Sequence, residues 1–291
     1  MLKSKIMTIA KYLNNCESLK GKTVVLTGGT SGIGKALSCH VLAKGASLIL
    51  LARNIELANK TKEELLNKYK NAFIDIIEYD QTSFKSIENG ANELINKYPN
   101  FDFIVLNAGV LAPNKKKRSS EGYPLTIATN YLGVRHLIEF LTPKLNNHLH
   151  RYIIAGSIAA GIKVKESYDI YNPKYNSLKQ YNISKACIEA YFYEISSNNK
   201  NENIQYVLTE PGISGTNIIK GLPLLIRFLG KYFLKIFFHS PKKAALCQLR
   251  AMQSDITNGD YIIPRGPFSM SGYPIKKEFP VKRKREFLLT K

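Results

Sequence analysis

Residues 23–34 read TVVLTGGTSGIG, and this stretch decides the fold class. Thr23 to Thr27 is a short run of β-branched and apolar side chains, which is typical of a buried strand. The glycines that follow predict a tight turn, and Gly34 to Lys44 has the pattern of a helix. A strand, a glycine-rich turn and a helix in this order predict the first half of a βαβ unit.

The same alternation continues along the chain. Continuous apolar runs indicate strands buried on both faces, and βαβ alternation at this spacing indicates parallel strands. We therefore expect an α/β protein with a doubly wound parallel sheet, a Rossmann fold, as a single domain over residues 21–264. Residues 1–20 and the basic residues 265–291 are expected to be terminal extensions. Strands are predicted at residues 23–27, 47–52, 73–79, 101–106, 151–155 and 204–209, and helices at residues 34–44, 56–70, 84–97, 123–145 and 181–198.

The composition is ordinary but the charge is not. With 291 residues, 44% of them hydrophobic, the chain is neither a disordered tail, a collagen-like fibre nor a disulfide-stapled mini-domain. Its formal charge of +20 arises wholly in four segments, residues 1–22, 115–118, 220–243 and 265–291, and the remainder is neutral. A basic balance suggests nucleic acid or an anionic membrane. Because Lys, the poorer reader of bases, outnumbers Arg, no specific nucleic-acid partner is expected.

The sequence shows no motif that is typical of a targeting signal or of a metal site. Cys16, Cys39, Cys187 and Cys247 form no C-x-x-C pair and have no zinc-like spacing to His, so we expect free thiols and no metal site. No signal-peptide pattern begins the sequence, and no stretch reaches the roughly 20 apolar residues of a membrane span. A cytoplasmic protein in a reducing compartment is the resulting expectation.

The turn after the first strand predicts a nucleotide site. Its glycines allow the backbone to approach a pyrophosphate, whose charge would lie at the helix N-terminus. About 20 residues on, the second strand ends in Ala52-Arg53-Asn54, with no carboxylate before Glu56. A guanidinium fits a 2′-phosphate and offers no acceptor to a ribose hydroxyl, which favours NADP(H) over NAD(H). The alternative is that Arg53 is a solvated loop residue.

A second candidate site combines Tyr181 with Lys185. At i and i+4 on a helix the phenol and the ammonium share one face, and the ammonium is expected to lower the pKa of the phenol toward neutrality. Acid–base work needs such a shift. The strand at 151–155 ends in Ala155-Gly156-Ser157, where the serine hydroxyl could hold a substrate oxygen beside the phenol.

These motifs together resemble the classical short-chain dehydrogenase/reductase family. TGGTSGIG, Asn107-Ala108-Gly109, Asn130, Ser157, YNISK and Pro211-Gly212 occur in the family's order and approximate spacing, over residues 21 to about 260. The resemblance implies that Tyr181 is the acid/base, that Lys185 lowers its pKa and holds the nicotinamide ribose, and that Ser157 polarises the substrate oxygen. It also implies that Asn130 anchors a proton-relay water.

The resemblance also assigns the cofactor contacts. Asp80 matches the position beside the adenine ring, and Ile213 and Thr216 match the nicotinamide carboxamide site. The residues expected at the cofactor are Gly28, Thr30, Ser31, Gly32, Ile33, Gly34, Arg53, Asn54, Asp80, Gln81, Asn107, Ala108, Gly109, Tyr181, Lys185, Pro211, Gly212, Ile213 and Thr216.

Within the family the sequence is most similar to the retinol-dehydrogenase-like branch, on the Ala-Arg-Asn after the second strand and on residues 121–133. The resemblance implies NADP(H)-dependent turnover of a hydrophobic carbonyl or alcohol substrate. Two features depart from that branch: Glu210 precedes Pro211 where histidine is common, and the N-terminal membrane span of several relatives is absent. The alternative function is that of a non-catalytic scaffold protein that binds the cofactor. A homo-oligomer is compatible with both the enzyme and the scaffold.

Of the basic segments, Leu222 to Phe238 is the most informative. Arg227, Lys231 and Lys235 recur every four residues in an otherwise almost wholly apolar stretch. Such an amphipathic helix suits a membrane interface, whereas the resemblance places it in a substrate-covering lid at about 214–240. The segment has two interpretations: it contacts an intracellular membrane peripherally, or it is a lid that packs on the domain with its cationic stripe in solvent. Lys115–Arg118 and Lys282–Arg285 are expected to be a solvated loop and tail.

Overall fold

The computed structural model describes residues 7–110, 117–161, 176–212 and 240–280. Within these ranges eight strands form one sheet. In chain order, β1 to β8 are Thr23–Thr27, Ser47–Ala52, Ile74–Glu78, Phe103–Leu106, His150–Ala155, Ile204–Thr209, Tyr261–Pro264 and Pro274–Lys277. Their order across the sheet is β3-β2-β1-β4-β5-β6-β7-β8. Strands β1 to β7 are parallel, and β8 pairs antiparallel with β7.

Helices cover both faces of the sheet. In the described part of the chain, α1 to α9 are Ile9–Asn15, Gly32–Ala43, Ile55–Lys68, Phe84–Lys97, Leu125–Ile127, Gly133–Leu141, Ser177–Ser197, Pro241–Ala244 and Leu246–Arg250. Successive strand residues point to opposite faces. Val25 and Ile49 therefore face a core that includes α4, α6 and α7, whereas Val24 and Leu48 face one that includes α2, α3 and α9. The predicted doubly wound Rossmann fold is confirmed.

The order of the strands creates a crevice. β1 pairs with β2 on one side and with β4 on the other, so the chain winds away from β1 in both directions. Ligands of such sheets bind at this switch point, outside the carboxyl ends of the strands. The glycine-rich loop after β1 and Asn107 after β4 both lie there.

The predicted helix over residues 123–145 is interrupted. A π-helical turn, Ala128–Leu132, separates α5 from α6, and a 3-10 turn, Thr142–Lys144, ends the segment. Just after the π turn, a Cβ on Gly133 would lie 2.0 Å from the Gln81 carbonyl oxygen, so the helix runs against the loop after β3. A single π turn inside an α-helix is frequent at functional sites.

The sheet extends beyond the expected end of the domain at residue 264. β8 adds an eighth strand, and Phe279 beyond it packs edge-on against Phe192 and Tyr261, each at 5.7 Å between ring centroids. At the other end, α1 docks on the domain because the Lys44 ammonium donates to the Leu13 carbonyl at 3.0 Å. Both segments predicted as extensions therefore contribute residues that pack against the domain.

Candidate active site

The loop after β1 fits a diphosphate. The chain turns back on itself so closely that a Cβ on Gly34 would lie 2.1 Å from the Gly28 carbonyl oxygen. Helix α2 begins after Ser31, whose side chain makes no capping hydrogen bond, and its first turn has no acidic residue. The amide groups of that turn therefore face the crevice without a capping side chain or a repelling charge, an arrangement that favours an anion.

Hydrogen bonds fix this loop to the end of β4. The Thr27 hydroxyl accepts from the Asn107 and Ala108 amides at 3.0 and 2.9 Å. The Asn107 side-chain oxygen accepts in turn from Gln248 at 3.0 Å. Gln248 is fully buried, and its own Oε1 has no hydrogen-bond partner among the described residues. Gln248 was not among the predicted site residues. Since Gln248 lies some 140 residues away in sequence, no local pattern could have identified it.

Arg53 stands at the end of β2, as predicted. Its side chain is 69% exposed, and its guanidinium lies 3.7 Å from the Asp80 carboxylate. Such an exposed pair is weak, because water and salt screen it. The neighbouring Asn54 has a structural role, because its Oδ1 accepts a hydrogen bond from the Leu57 amide at 2.8 Å and so caps α3.

Two further predicted cofactor residues are largely occupied by internal bonds. One Asp80 oxygen accepts from both the amide and the hydroxyl of Thr82, at 2.9 and 2.7 Å, which orders the loop after β3. Gln81 is buried, and its side-chain amide donates to the carbonyls of Thr129 and Ala108, at 2.5 and 3.2 Å. Gln81 thus joins this loop to the π turn and to the end of β4.

Ser157, Tyr181 and Lys185 come together where β5 ends against α7. The Tyr181 hydroxyl donates to the Ser157 Oγ at 3.4 Å, and the Lys185 ammonium donates to the Ala155 carbonyl at 2.7 Å. A hydrogen bond from the Ala159 amide, at 3.2 Å, also orients the Ser157 Oγ. The phenol and the serine hydroxyl are therefore placed to meet one substrate oxygen.

The protonation of Tyr181 differs from the expectation. Burial raises its pKa above the ordinary value, and the hydrogen bond with Ser157 only partly offsets that. Burial also shifts the pKa of Lys185, which it lowers to about 8, although the negative charges of Glu189 and Glu210 act to raise it. In this structure desolvation dominates the pKa of the phenol, and the Lys185 ammonium donates to the Ala155 carbonyl; the expected lowering of the phenol pKa by the ammonium stays a prediction.

Asn130 lies at the centre of the π turn. Its side chain accepts from the Val110 amide at 2.8 Å and donates to the Val110 carbonyl and the Ser184 hydroxyl, both at 3.0 Å. The Ser184 hydroxyl donates onward to the Tyr181 carbonyl at 2.7 Å. Asn130 therefore connects the segment after β4 to the helix that carries Tyr181, and its role as the anchor of a proton-relay water stays a prediction.

Two buried carboxyl groups complete the site. Glu189 and Glu210 are each 1% exposed, and the Ser157 amide donates to the Glu189 Oε1 at 3.2 Å. From the sequence, Glu210 was expected only to be a departure from the family pattern, and no role was predicted for Glu189. A signal was present, since Glu189 follows Lys185 by one helical turn within an otherwise apolar stretch.

Pro211 and Gly212 follow β6 at the same edge of the sheet. Ile213, Thr216, the segment Leu222 to Phe238 and the tail Lys282–Arg285 lie outside the described residues. In the ranges that the structure covers, no three His, Cys, Asp or Glu side chains come together as a metal site would require. Over the same residues, no helix combines the length and apolar character that crossing a bilayer takes.

A surface groove of about 620 Å³ lies elsewhere, between the C-terminal end of α7, the segment that precedes β7, and the end of β8 with the residues after it. Ser196 in its wall is fifteen residues beyond Tyr181, or about 22 Å along the helix. Of the predicted cofactor-binding and catalytic residues that the structure describes, none lines this groove.

Known proteins match both the sequence and the fold. Retinol dehydrogenase 13 of Homo sapiens is 27% identical over 237 residues, which cover 78% of this chain and 71% of that protein. The chloroplastic short-chain dehydrogenase TIC 32 B of Brassica napus is 28% identical over 252 residues, covering 81% of this chain and 78% of the relative.

Solved structures agree on the architecture. The NADPH-dependent 3-quinuclidinone reductase of Rhodotorula rubra superposes with a TM-score of 0.66 at 19% identity, over 90% of this chain and 96% of that one. An uncharacterised protein of Mycobacterium paratuberculosis gives a TM-score of 0.74 at 20% identity, over 96% and 92%. The family profile described as short chain dehydrogenase matches residues 22–223, more than half of the 291 residues. The chain therefore belongs to the short-chain dehydrogenase family of oxidoreductases and has retinol-dehydrogenase-like relatives.

Proposed function

We propose that the protein is an NADP(H)-dependent oxidoreductase that acts on the carbonyl or alcohol group of a hydrophobic substrate. The observation that carries the proposal is the hydrogen bond between the Tyr181 phenol and the Ser157 hydroxyl, with Lys185 one helical turn away. Ser157 follows the carboxyl end of β5 closely, and Tyr181 and Lys185 make hydrogen bonds to Ser157 and Ala155 there. A scaffold protein would have no need of this arrangement.

The side chains of the site would donate or accept the proton that the reaction requires. In reduction, the Tyr181 hydroxyl gives its proton to the substrate oxygen, and the Ser157 hydroxyl donates a hydrogen bond to the same atom. The raised pKa of Tyr181 keeps the phenol protonated near neutrality, which is the form that reduction consumes. The nicotinamide cofactor supplies or accepts the hydride when bound.

The residues around the crevice suit that cofactor. The glycine loop and the first turn of α2 would hold the pyrophosphate, and Lys185 would hold the nicotinamide ribose. Arg53 would meet the 2′-phosphate once it leaves Asp80, and their weak, solvated contact opposes this only slightly. A phosphate dianion offers Arg53 shorter, charge-assisted hydrogen bonds, so NADP(H) is the preferred form of the cofactor.

The proposals on substrate and location rest on less direct support. One relative is named a retinol dehydrogenase, and Leu222 to Phe238 is almost entirely apolar apart from its three cations. We therefore favour an apolar substrate and a cytoplasmic protein that contacts an intracellular membrane peripherally through this segment. Cys16, Cys39, Cys187 and Cys247 are free thiols, in keeping with a reducing compartment.

The experiment is a turnover screen of purified protein with aldehydes, ketones and alcohols of graded chain length. Each substrate is offered with NADPH or NADH, or with their oxidised forms, and the nicotinamide absorbance is followed. We expect kcat/KM to rise with chain length and to favour NADPH. Cofactor binding without turnover of any substrate would instead indicate a scaffold.

A further inference from the structure

Two carboxyl groups lie buried beside Lys185 and have no part in the proton transfer described above. Glu189 stands one turn after Lys185 on α7, and Glu210 follows β6 directly. A buried carboxylate loses its hydration, so glutamate is rarely buried to this degree unless contacts with the protein compensate that loss. Their burial in the wall of the catalytic site therefore requires a reason.

The contacts of Glu189 point to Ser157. Its Oε1 accepts from the Ser157 amide at 3.2 Å, and a Cβ on Gly156 would lie 2.9 Å from the same oxygen. The carboxylate therefore lies in close contact with the backbone of the segment that follows β5. Since the Ser157 hydroxyl faces Tyr181 at 3.4 Å, a bond that fixes the Ser157 backbone also fixes this approach.

The charge of Glu189 acts on Lys185. Tyr181, Lys185 and Glu189 follow one another at four-residue spacing and share one side of α7. Glu189 and, to a smaller extent, Glu210 raise the pKa of Lys185, against the burial that lowers it. The titratable groups around this ammonium are Tyr181 and Glu189 on its own helix and Glu210 after β6. Cys247 of α9 faces Glu210, and burial raises the pKa of its thiol.

We infer that Glu189 is a positioning residue with two separable effects: its Oε1 holds the Ser157 amide, and its negative charge keeps Lys185 in the ammonium form. The kinetic consequences of this inference rest on the proposed oxidoreductase activity, whereas the two physical effects do not.

Two conservative variants separate the effects. Glu189→Gln keeps an acceptor for the Ser157 amide and removes the charge. Glu189→Asp keeps the charge and, being one methylene shorter, withdraws the oxygen from Ser157. Glu194→Gln, an exposed position on the same helix, is the matched control.

The first readout is NMR of the free protein with ¹³C-labelled lysine, the Lys185 signal being assigned by its loss in Lys185→Met. We expect Lys185 to titrate near pH 8 in the wild type and about one unit lower in Glu189→Gln. Glu189→Asp and Glu194→Gln should titrate as the wild type does. This measurement needs neither cofactor nor substrate, so its outcome is independent of the proposed activity.

The second readout is the pH profile of turnover. In Glu189→Gln the alkaline loss of kcat/KM should begin about one pH unit earlier, because the ammonium is lost earlier. Glu189→Asp should lose roughly tenfold in kcat with the alkaline limb unmoved, because a hydrogen bond is lost and the charge is kept.

An unchanged Lys185 titration in Glu189→Gln would overturn the charge effect. Wild-type kcat in Glu189→Asp would overturn the positioning effect, and this second variant remains informative if the first does not fold. An equal loss of kcat in both variants at every pH, without any shift, would show a merely structural role and would overturn the inference.

Discussion

Burial governs the protonation of the two titratable groups of α7 that lie beside Ser157 and Ala155. Each charged form loses hydration, so the pKa of Tyr181 rises and that of Lys185 falls to about 8. A phenol and an ammonium are therefore the expected forms at pH 7. Because the pKa of the lysine is lowered, its ammonium is present below about pH 8 and is lost as the pH rises through that value. If Lys185 holds the nicotinamide ribose as proposed, cofactor binding measured by fluorescence should weaken in the same range.

At the scale of one residue, the proposed preference for NADP(H) rests on Arg53. Arg53→Ala removes the cation proposed to meet the 2′-phosphate, so we expect KM for NADPH to rise about 10- to 100-fold. KM for NADH, which has no phosphate there, should hardly change. Steady-state kinetics with both cofactors measure the difference, and Lys60→Ala, an exposed cation on α3, is the control. Equal increases for NADPH and NADH would refute the assignment.

The sequence could predict the residues of the site better than their contacts. Tyr181 and Lys185 are paired by helical spacing alone, and the glycine loop is evident from its place after a strand. The position of the Lys185 ammonium on the Ala155 carbonyl depends on how α7 meets β5. The bond from Glu189 to Ser157 and that from Gln248 to Asn107 likewise join residues from distant segments. These contacts depend on tertiary packing, which no local pattern contains.

The π turn is the element that brings Asn130 to its partners. Asn130→Asp would keep the acceptor for the Val110 amide, lose both donated bonds and place a negative charge where the side chain is buried. We expect a loss of at least about 2 kcal/mol in the free energy of unfolding, together with a lower kcat. Urea denaturation and turnover measure the two effects.

Asn67→Asp, an exposed position on α3, is the control for this change and should be neutral. An Asn130→Asp protein as stable as the wild type would show that the three bonds of Asn130 contribute little. In that case the alignment of α7 with the segment after β4 would need another explanation.

Elements with a strong pattern were predicted well, and short ones were missed. β1, β2, β6 and α4 have the predicted bounds, because long apolar runs or clear helical periodicity define them. β7 has only four residues, and β8 contains two lysines and a proline, so neither has the pattern of a buried strand. β8 belongs to the sheet because it pairs with β7 and not because of its own composition. The π turn was missed for a similar reason, since the apolar spacing on both sides of it is helical.

On the scale of the whole molecule, the C-terminal segment stabilises the edge of the sheet. Phe279 packs against Phe192, Tyr193 and Tyr261, so we expect Phe279→Ala to lower the free energy of unfolding by about 2–3 kcal/mol. Phe268→Ala is the matched control, because that ring is 87% exposed and its loss should cost less than about 0.5 kcal/mol. Similar urea midpoints for both variants would show that the Phe279 ring adds little to the stability of the domain.

The distribution of charge predicts that the whole protein binds an anionic membrane surface. With its excess confined to four segments, the protein should float with anionic vesicles at low salt and not with neutral ones. Changing Arg227, Lys231 and Lys235 together to Glu should abolish flotation. Reversing the charges of Lys282, Arg283 and Lys284 is the control and should leave most of it intact. Loss of binding in the control alone would assign the contact to the tail.

In the proposed function, Tyr181 transfers a proton while the protein exchanges hydride with a bound nicotinamide. The most direct test of this proposal compares wild type with Tyr181→Phe, using the best substrate of the screen and NADPH, with Tyr193→Phe as a control on the same helix. We predict that kcat falls at least about 100-fold in Tyr181→Phe, while NADPH binding measured by fluorescence is nearly unchanged. Turnover by Tyr181→Phe at more than about a tenth of the wild-type rate would contradict the account.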